Sequence, residues 1–360
     1  MRMSTCVAQI APQRSTQYAA LADALAPHEL TLSALGADIS NITPVALGGQ
    51  SYLRFDYNGA LDDSAQARAE LGMLAMTSAY YEYRDEISGA PGPWLRPIEA
   101  GYTPVFPPDL IMTRRYKGKT NELFTQFMCN IARHASAFAH APWHSLRVFD
   151  PLAGGGTTLF AALLLGANVV GVEKDSADVE STATFIEQYM REQGIACRVK
   201  EERLKKIGRR WWFTLGKSIA NANHAAESTP VDRADESVWP KQCVIAIGDT
   251  AESAELLSNV KKANLIVTDL PYGIQHHGEL SKLMDEALPV WANQLVSGGA
   301  MAVAWDATRF PRADMIALVE ASEAFVVLND APYNLLAHRV DRVIKQRDVL
   351  VARKFEGVSG

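Results

Sequence analysis

The sequence predicts an α/β protein in which a mostly parallel sheet carries helices on both faces. Three observations predict it. Between Arg147 and Asp175 the chain reads strand, glycine turn, helix, loop, strand. From Gln242 to Arg353 short apolar runs alternate with helical patterns, the order that builds parallel sheets through crossovers. Four of the apolar runs close on an acid: Asp150, Glu173, Asp249 and Asp269. Ligands of such sheets bind at the carboxyl ends of the strands, so four carboxylates are expected along one rim.

Composition bounds the rest. A chain of 360 residues holds one large domain, or a ~250-residue domain with a smaller one beside it. The net charge of −6 excludes a protein that is basic all over, so a nucleic-acid partner has to be met by a local patch. Cys6, Cys129, Cys197 and Cys243 are scattered and form no C-x-x-C pair. That predicts neither a zinc site nor a disulfide framework, and suits a reducing cytoplasm. No signal peptide and no membrane span is expected.

Residues 1–100 are expected to form a small α+β region. Gln17–Leu25 suits a helix, Ser51–Tyr57 a strand, and the alanine-rich Ser64–Arg84 a second helix. Gly89–Pro97 is proline and glycine punctuation and reads as a boundary. Arg114, Arg115, Lys117 and Lys119 then cluster ahead of an apolar helix, Leu123–Phe138, which Asn121 or Thr120 is placed to cap. The cations suit a solvated turn or a phosphate-facing one.

In the central unit, Arg147–Asp150 is a strand, Gly154, Gly155 and Gly156 make a tight turn, and Leu159–Leu165 is a helix ended by Gly166. Asn168–Glu173 is the second strand, and its terminal acid is spaced to bind ribose hydroxyls. No Lys follows the glycines, so the P-loop pattern is absent. Ser176–Gln193 is an amphipathic helix with Val179, Ala183, Ile186 and Met190 as its stripe. Lys200–Lys217 sets seven basic and two acidic side chains around Trp211, Trp212 and Phe213. Arg209, Arg210 and Trp211 there suit phosphate contact and base stacking, or a helix whose aromatics pack on the domain. Ile219–Trp239 is polar and reads as part of an insertion over about 197–241. Strands follow at Cys243–Ile247, Ala263–Thr268, Ala300–Trp305, Phe325–Leu328 and Asp348–Arg353, with helices at Glu279–Leu295 and Arg312–Ala321.

Asp150-Pro-Leu-Ala-Gly-Gly-Gly-Thr-Thr158 resembles the cofactor motif of class I S-adenosylmethionine-dependent methyltransferases, and Asp269-Leu-Pro-Tyr272 resembles the D/N-P-P-Y/F motif of their base-amino branch. Leu270 departs from that pattern, but Leu there with Gly273 following is found among the tRNA N2-guanine methylases. The resemblance covers residues 110–355. It implies a Rossmann-like, seven-stranded, mostly parallel sheet with S-adenosylmethionine as cofactor and no metal. It places Asp150, Pro151, Ala153, Gly154, Gly156 and Thr157 at the methionine end, Glu173 with Lys174 at the ribose, and Asp249 with Thr250 at the adenine. Asp269, Pro271 and Tyr272 are its catalytic positions, with Lys119, Asn121 and Gly273 at the substrate. An exocyclic amine is a poor nucleophile because its lone pair is delocalised into the ring. A carboxylate and a backbone carbonyl that accept from its two N–H groups free that lone pair. The cofactor motif precedes Asp269-Leu-Pro-Tyr272, an order that leans towards RNA, tRNA foremost, as the partner. A DNA adenine-N6 or cytosine-N4 methylase is the second reading, and a non-catalytic RNA-binding protein the third.

Overall fold

The structure is a computed structural model and describes residues 3–12, 20–116, 118–204, 207–218, 239–271, 277–340 and 345–356. The chain divides into two compact units, Met1–Thr103 with Asn329–Asp348, and Pro104–Leu328 with Val349–Gly360.

The first unit contains β1 (Met3–Ile10), α1 (Leu21–Leu32), β2 (Ile39–Leu47), β3 (Gln50–Asn58), α2 (Ala65–Met73), β4 (Thr77–Ile87) and β5 (Ala90–Ile98). Its five strands lie in the order β2-β3-β1-β4-β5, and every neighbouring pair is antiparallel. The buried carboxylate of Glu29 on α1 accepts from the backbone N–H groups of Ala75 (3.0 Å) and Met76 (2.8 Å), tying α1 to the join between α2 and β4.

Two expectations change here. Ser64–Arg84 is not one helix. The Ser64 hydroxyl caps α2 by accepting from Ala67 N–H at 3.2 Å, the helix ends at Met73, and Thr77 begins a strand. Thr77 and the tyrosines that follow fit a pleated surface better than a helix. Tyr80 is buried there, its hydroxyl donating to the Leu71 carbonyl at 2.8 Å. Gly89–Pro97 is likewise no boundary: it is most of β5, and the prolines sit on an edge strand, where a missing N–H is tolerated.

The second unit runs α3 (Leu110–Thr113), α4 (Glu122–Ala135), β6 (Arg147–Asp150), α5 (Thr157–Leu165), β7 (Asn168–Glu173), α6 (Ser176–Glu192), β8 (Ile195–Leu204) and β9 (Gly208–Ser218). It continues with β10 (Lys241–Ile247), α7 (Ser253–Leu256), β11 (Ala263–Asp269), α8 (His277–Gln294), β12 (Leu295–Asp306), α9 (Arg312–Ala321), β13 (Phe325–Leu328) and β14 (Arg347–Lys354). The sheet order is β13-β14-β12-β11-β6-β7-β10-β9-β8. The pairs β12/β11, β11/β6, β6/β7 and β7/β10 are parallel, and β10/β9, β9/β8 and β13/β14 are antiparallel. Read in chain order, β10-β7-β6-β11-β12 is the 3-2-1-4-5 arrangement of doubly wound sheets, with its switch point between β6 and β11. The core beside it holds Phe149, Ile266, Met284, Trp291 and Val303.

Among the described residues the sheet has nine strands, not seven, and is mixed. The two added strands are β8 and β9, formed by the basic and aromatic segment that had been open to a helical reading. Trp211, Phe213 and Leu215 alternate with less buried residues along β9, the period of a strand. Residues 219–238, the polar part of the expected insertion, lie outside the described residues.

Trp211 is 7% exposed, so Trp211→Ala should lower stability by about 3–5 kcal/mol in chemical denaturation. A change below ~1 kcal/mol would remove Trp211 from the packing of this edge.

Candidate functional site

Parallel pairing fixes where the strand-end acids go. Asp150, Glu173 and Asp269 terminate β6, β7 and β11, and Asp249 follows β10 after Gly248. A cavity of ≈ 540 Å³ opens along this rim and is lined by all four, together with Gly154, Gly155, Leu270 and Pro271. That volume lies within the ~300–1,000 Å³ of small-molecule sites.

The glycine turn is shaped from both sides. Gly156 precedes α5 with φ +88°, a left-handed conformation that costs other residues strain. Gly155 lies under the Tyr116 ring so closely that a Cβ would come within 2.4 Å of a ring carbon. Gly156 stands behind the cavity wall, whereas Pro151, Ala153, Thr157, Lys174 and Thr250 all line it.

Each acid has a dedicated donor. Glu173 accepts from Gly154 N–H and Asp175 N–H, both at 2.8 Å, so it braces the turn while facing the cavity. Asp249 caps the next turn by accepting from Ala251 N–H (3.1 Å) and pairs with Lys174 at 2.9 Å. The Lys174 hydrogen bond holds the Asp249 carboxyl below the ordinary carboxylate range. Asp269 accepts from the Thr120 hydroxyl at 2.9 Å. Asp150 accepts from Leu152 N–H at 3.1 Å, but it is 2% exposed, and burial pushes its carboxyl up to about 6. Thr250, buried beneath the rim, accepts from the Trp291 indole at 2.8 Å.

This donor set discriminates between ligands. A pyrophosphate would meet four carboxylates, with Lys174 already paired to Asp249. A cationic, hydroxyl-bearing nucleoside meets acceptors for its hydroxyls and amino groups and opposite charge for its cation. The residues therefore fit S-adenosylmethionine and fit a dinucleotide poorly.

The remaining expected catalytic and substrate residues fall into two groups. Tyr272 and Gly273 lie outside the described residues. The Lys119 amine donates to the Ile111 carbonyl and pairs with Glu122, both at 2.6 Å. Asn121 caps α4, accepting from Phe124 N–H at 3.0 Å. Arg114, expected in a solvated or phosphate-facing turn, is instead buried against the glycine turn, donating to the Gly155 carbonyl at 2.7 Å. Phosphate contact by Arg210 and stacking by Trp211 are also corrected. Arg210 is buried and donates to the Glu202 carboxylate (2.7 Å) and to the carbonyls of Leu256 (2.9 Å) and Ser258 (2.7 Å). The Trp211 ring is packed inside, with the Arg209 guanidinium 5.2 Å from its centroid. Arg209 pairs with Glu180 and Glu201. Hydrogen bonds from Lys200, Arg210 and Trp212 pull the Glu202 carboxyl down to about 2.

Sequence reasoning passed over Tyr116 and Thr120 as site residues, although both line the cavity. A contact such as Thr120 with Asp269, 149 residues apart, leaves no local pattern.

No family model matches the chain, and no curated protein matches it. Among solved structures, it is similar to TrmN from Thermus thermophilus at 13% identity and TM-score 0.44, covering 98% of this chain and 100% of that one. It is similar to the rRNA methyltransferase aviRa from Streptomyces viridochromogenes at 16% identity and TM-score 0.38, over 69% and 91% of the two chains. A third similarity, at 15% identity and TM-score 0.36 over 94% and 63%, is to the 16S rRNA N2-G methyltransferase RsmC of Thermus thermophilus, solved with AdoMet and guanosine. Among the described residues, no helix is long and apolar enough to cross a membrane.

Asp150 gives a pH test with a definite sign. Its folded carboxyl holds the proton up to about pH 6, whereas in the unfolded chain the proton leaves near ~4. The unfolded state therefore binds fewer protons between those values, and stability falls as pH rises through that window. Urea denaturation of wild type and Asp150→Asn should show wild type losing stability relative to the variant from about pH 4 to 6. A difference flat across the window contradicts the burial argument.

Proposed function

We propose that this chain is a class I S-adenosylmethionine-dependent methyltransferase acting on an exocyclic amino group of a base in RNA, foremost N2 of guanine in tRNA. One observation carries the reading: the glycine turn with its strand-end acids and Asp269-Leu270-Pro271 line the same cavity. Donor and acceptor sites for a transfer are thereby adjacent.

S-adenosylmethionine supplies an electrophilic methyl group when bound. Glu173 accepts hydrogen bonds from ribose hydroxyls while holding Gly154, and Asp249 faces the adenine end. Asp150 sits at the methionine end, where a cation stabilises its ionised form. The Asp269 carboxylate and the Leu270 carbonyl accept from the amine, directing its lone pair towards the donor. The turn that aims them is fixed by Leu270 N–H donating to the Ala304 carbonyl at 2.8 Å, and by Pro271. Tyr272 would offer its ring to a splayed-out base. Orientation supplies the remaining acceleration, and no protein-bound intermediate is needed.

The order of the two motifs and Leu270 favour RNA. The DNA reading needs a target-reading region, for which residues 194–242 were the available length. Of these, 195–204 and 208–218 form the edge hairpin β8–β9, and Trp211 and Arg210 are buried within it.

Glu173→Ala should weaken S-adenosylmethionine binding by about ten-fold or more, since hydrogen bonds to a charged group are strong, while Asp269→Ala binds it normally and loses most turnover. Calorimetry and labelled-methyl transfer to undermodified tRNA, rRNA and DNA check both. Unchanged affinity in a folded Glu173→Ala protein, or transfer to DNA alone, overturns the corresponding part.

A further inference from the structure

Residues 114–116 and 118–121 are anchored at three places. At the start, the buried Arg114 guanidinium donates to the Gly155 carbonyl (2.7 Å), to Ser181 on α6 (3.1 Å) and to the Thr182 hydroxyl. Two residues on, the Tyr116 ring covers Gly155, its hydroxyl shares a hydrogen bond with Thr157, and the Arg114 guanidinium lies 5.2 Å from its ring centroid. At the far end Lys119 is tied to Ile111 and Glu122, and Asn121 caps α4. Between these anchors Thr120 donates to Oδ2 of Asp269 at 2.9 Å.

We propose that Thr120 is a positioning residue for Asp269, and that residues 114–116 and 118–121 act as a strap referencing the orientation of that carboxylate to the glycine turn. A carboxylate at the end of a strand has several side-chain rotamers, and each hydrogen bond to it narrows the choice. Thr120 holds one oxygen from a backbone fixed by α4 on one side and by the glycine turn on the other. An amine acceptor works only when its lone pairs meet the N–H groups in line, so a carboxylate turned away loses rate without losing cofactor. The inference rests on the reading of Asp269 as the amine acceptor and adds a group that holds one of its oxygens.

The test compares Thr120→Val, which keeps the shape and removes the donor, with Thr120→Ser, which keeps the donor. Methyl transfer is measured on whichever of tRNA, rRNA or DNA the wild type methylates fastest. Thr120→Val should lower kcat by about ten-fold or more, with the KM for S-adenosylmethionine unchanged, and Thr120→Ser should recover most of the rate. Thr120→Val placed on Asp269→Ala should add nothing further, because the group it orients is gone. Wild-type kcat in Thr120→Val, with Asp269→Ala inactive, overturns this inference alone. A loss in Thr120→Val that Thr120→Ser does not recover, or that raises the cofactor KM equally, also overturns it. Full turnover in Asp269→Ala, or no transfer by wild type to any of the three acceptors, overturns the underlying reading and this inference with it.

Discussion

Parallel pairing of β10, β7, β6 and β11 is the constraint from which the site follows. It brings four strand ends, and with them four carboxylates, to one rim. Like charges that close disfavour each other, and the structure answers each with a local donor: Leu152 N–H for Asp150, Gly154 N–H for Glu173, Lys174 for Asp249 and Thr120 for Asp269. Of these donors only Lys174 is cationic. The rim therefore stays negative and suits a cation carrying hydroxyl and amino groups.

The same donors give the site its rigidity. Glu173 ties the end of β7 to the turn after β6, and Lys174 with Asp249 ties the β7 loop to the β10 loop. Arg114 donates to the Gly155 carbonyl and the Tyr116 ring, itself part of the cavity lining, covers Gly155, so the turn is held by the strap. A ligand entering this cavity meets groups already in place, which lowers the ordering cost of binding.

The central sheet and most of the rim were legible in the sequence because their signals are local. Apolar runs closing on acids marked β6, β7, β10 and β11, and Gly166 ends α5 as its type and position imply, while the helix begins at Thr157, two residues before the expected Leu159. The failures share a cause. Charge dominated the reading of 200–217, although Trp211, Phe213 and Leu215 alternate as a buried strand face does, and Arg210 finds its partners on a different element, at Leu256 and Ser258. Alanine content dominated the reading of 64–84, although the tyrosines of β4 belong to a sheet whose partners are β1 and β5. The contacts that Thr120 and Arg114 make at the site were not readable, because their partners lie 149 and 41 residues away.

The central claim is that this acid-lined cavity selects a sulfonium nucleoside over phosphate-bearing ones. Calorimetric titration of the purified chain with S-adenosylmethionine, NAD and ATP in turn measures it directly. The account predicts one S-adenosylmethionine per chain and no heat of binding for the other two. Binding of NAD or ATP in preference to S-adenosylmethionine would contradict it.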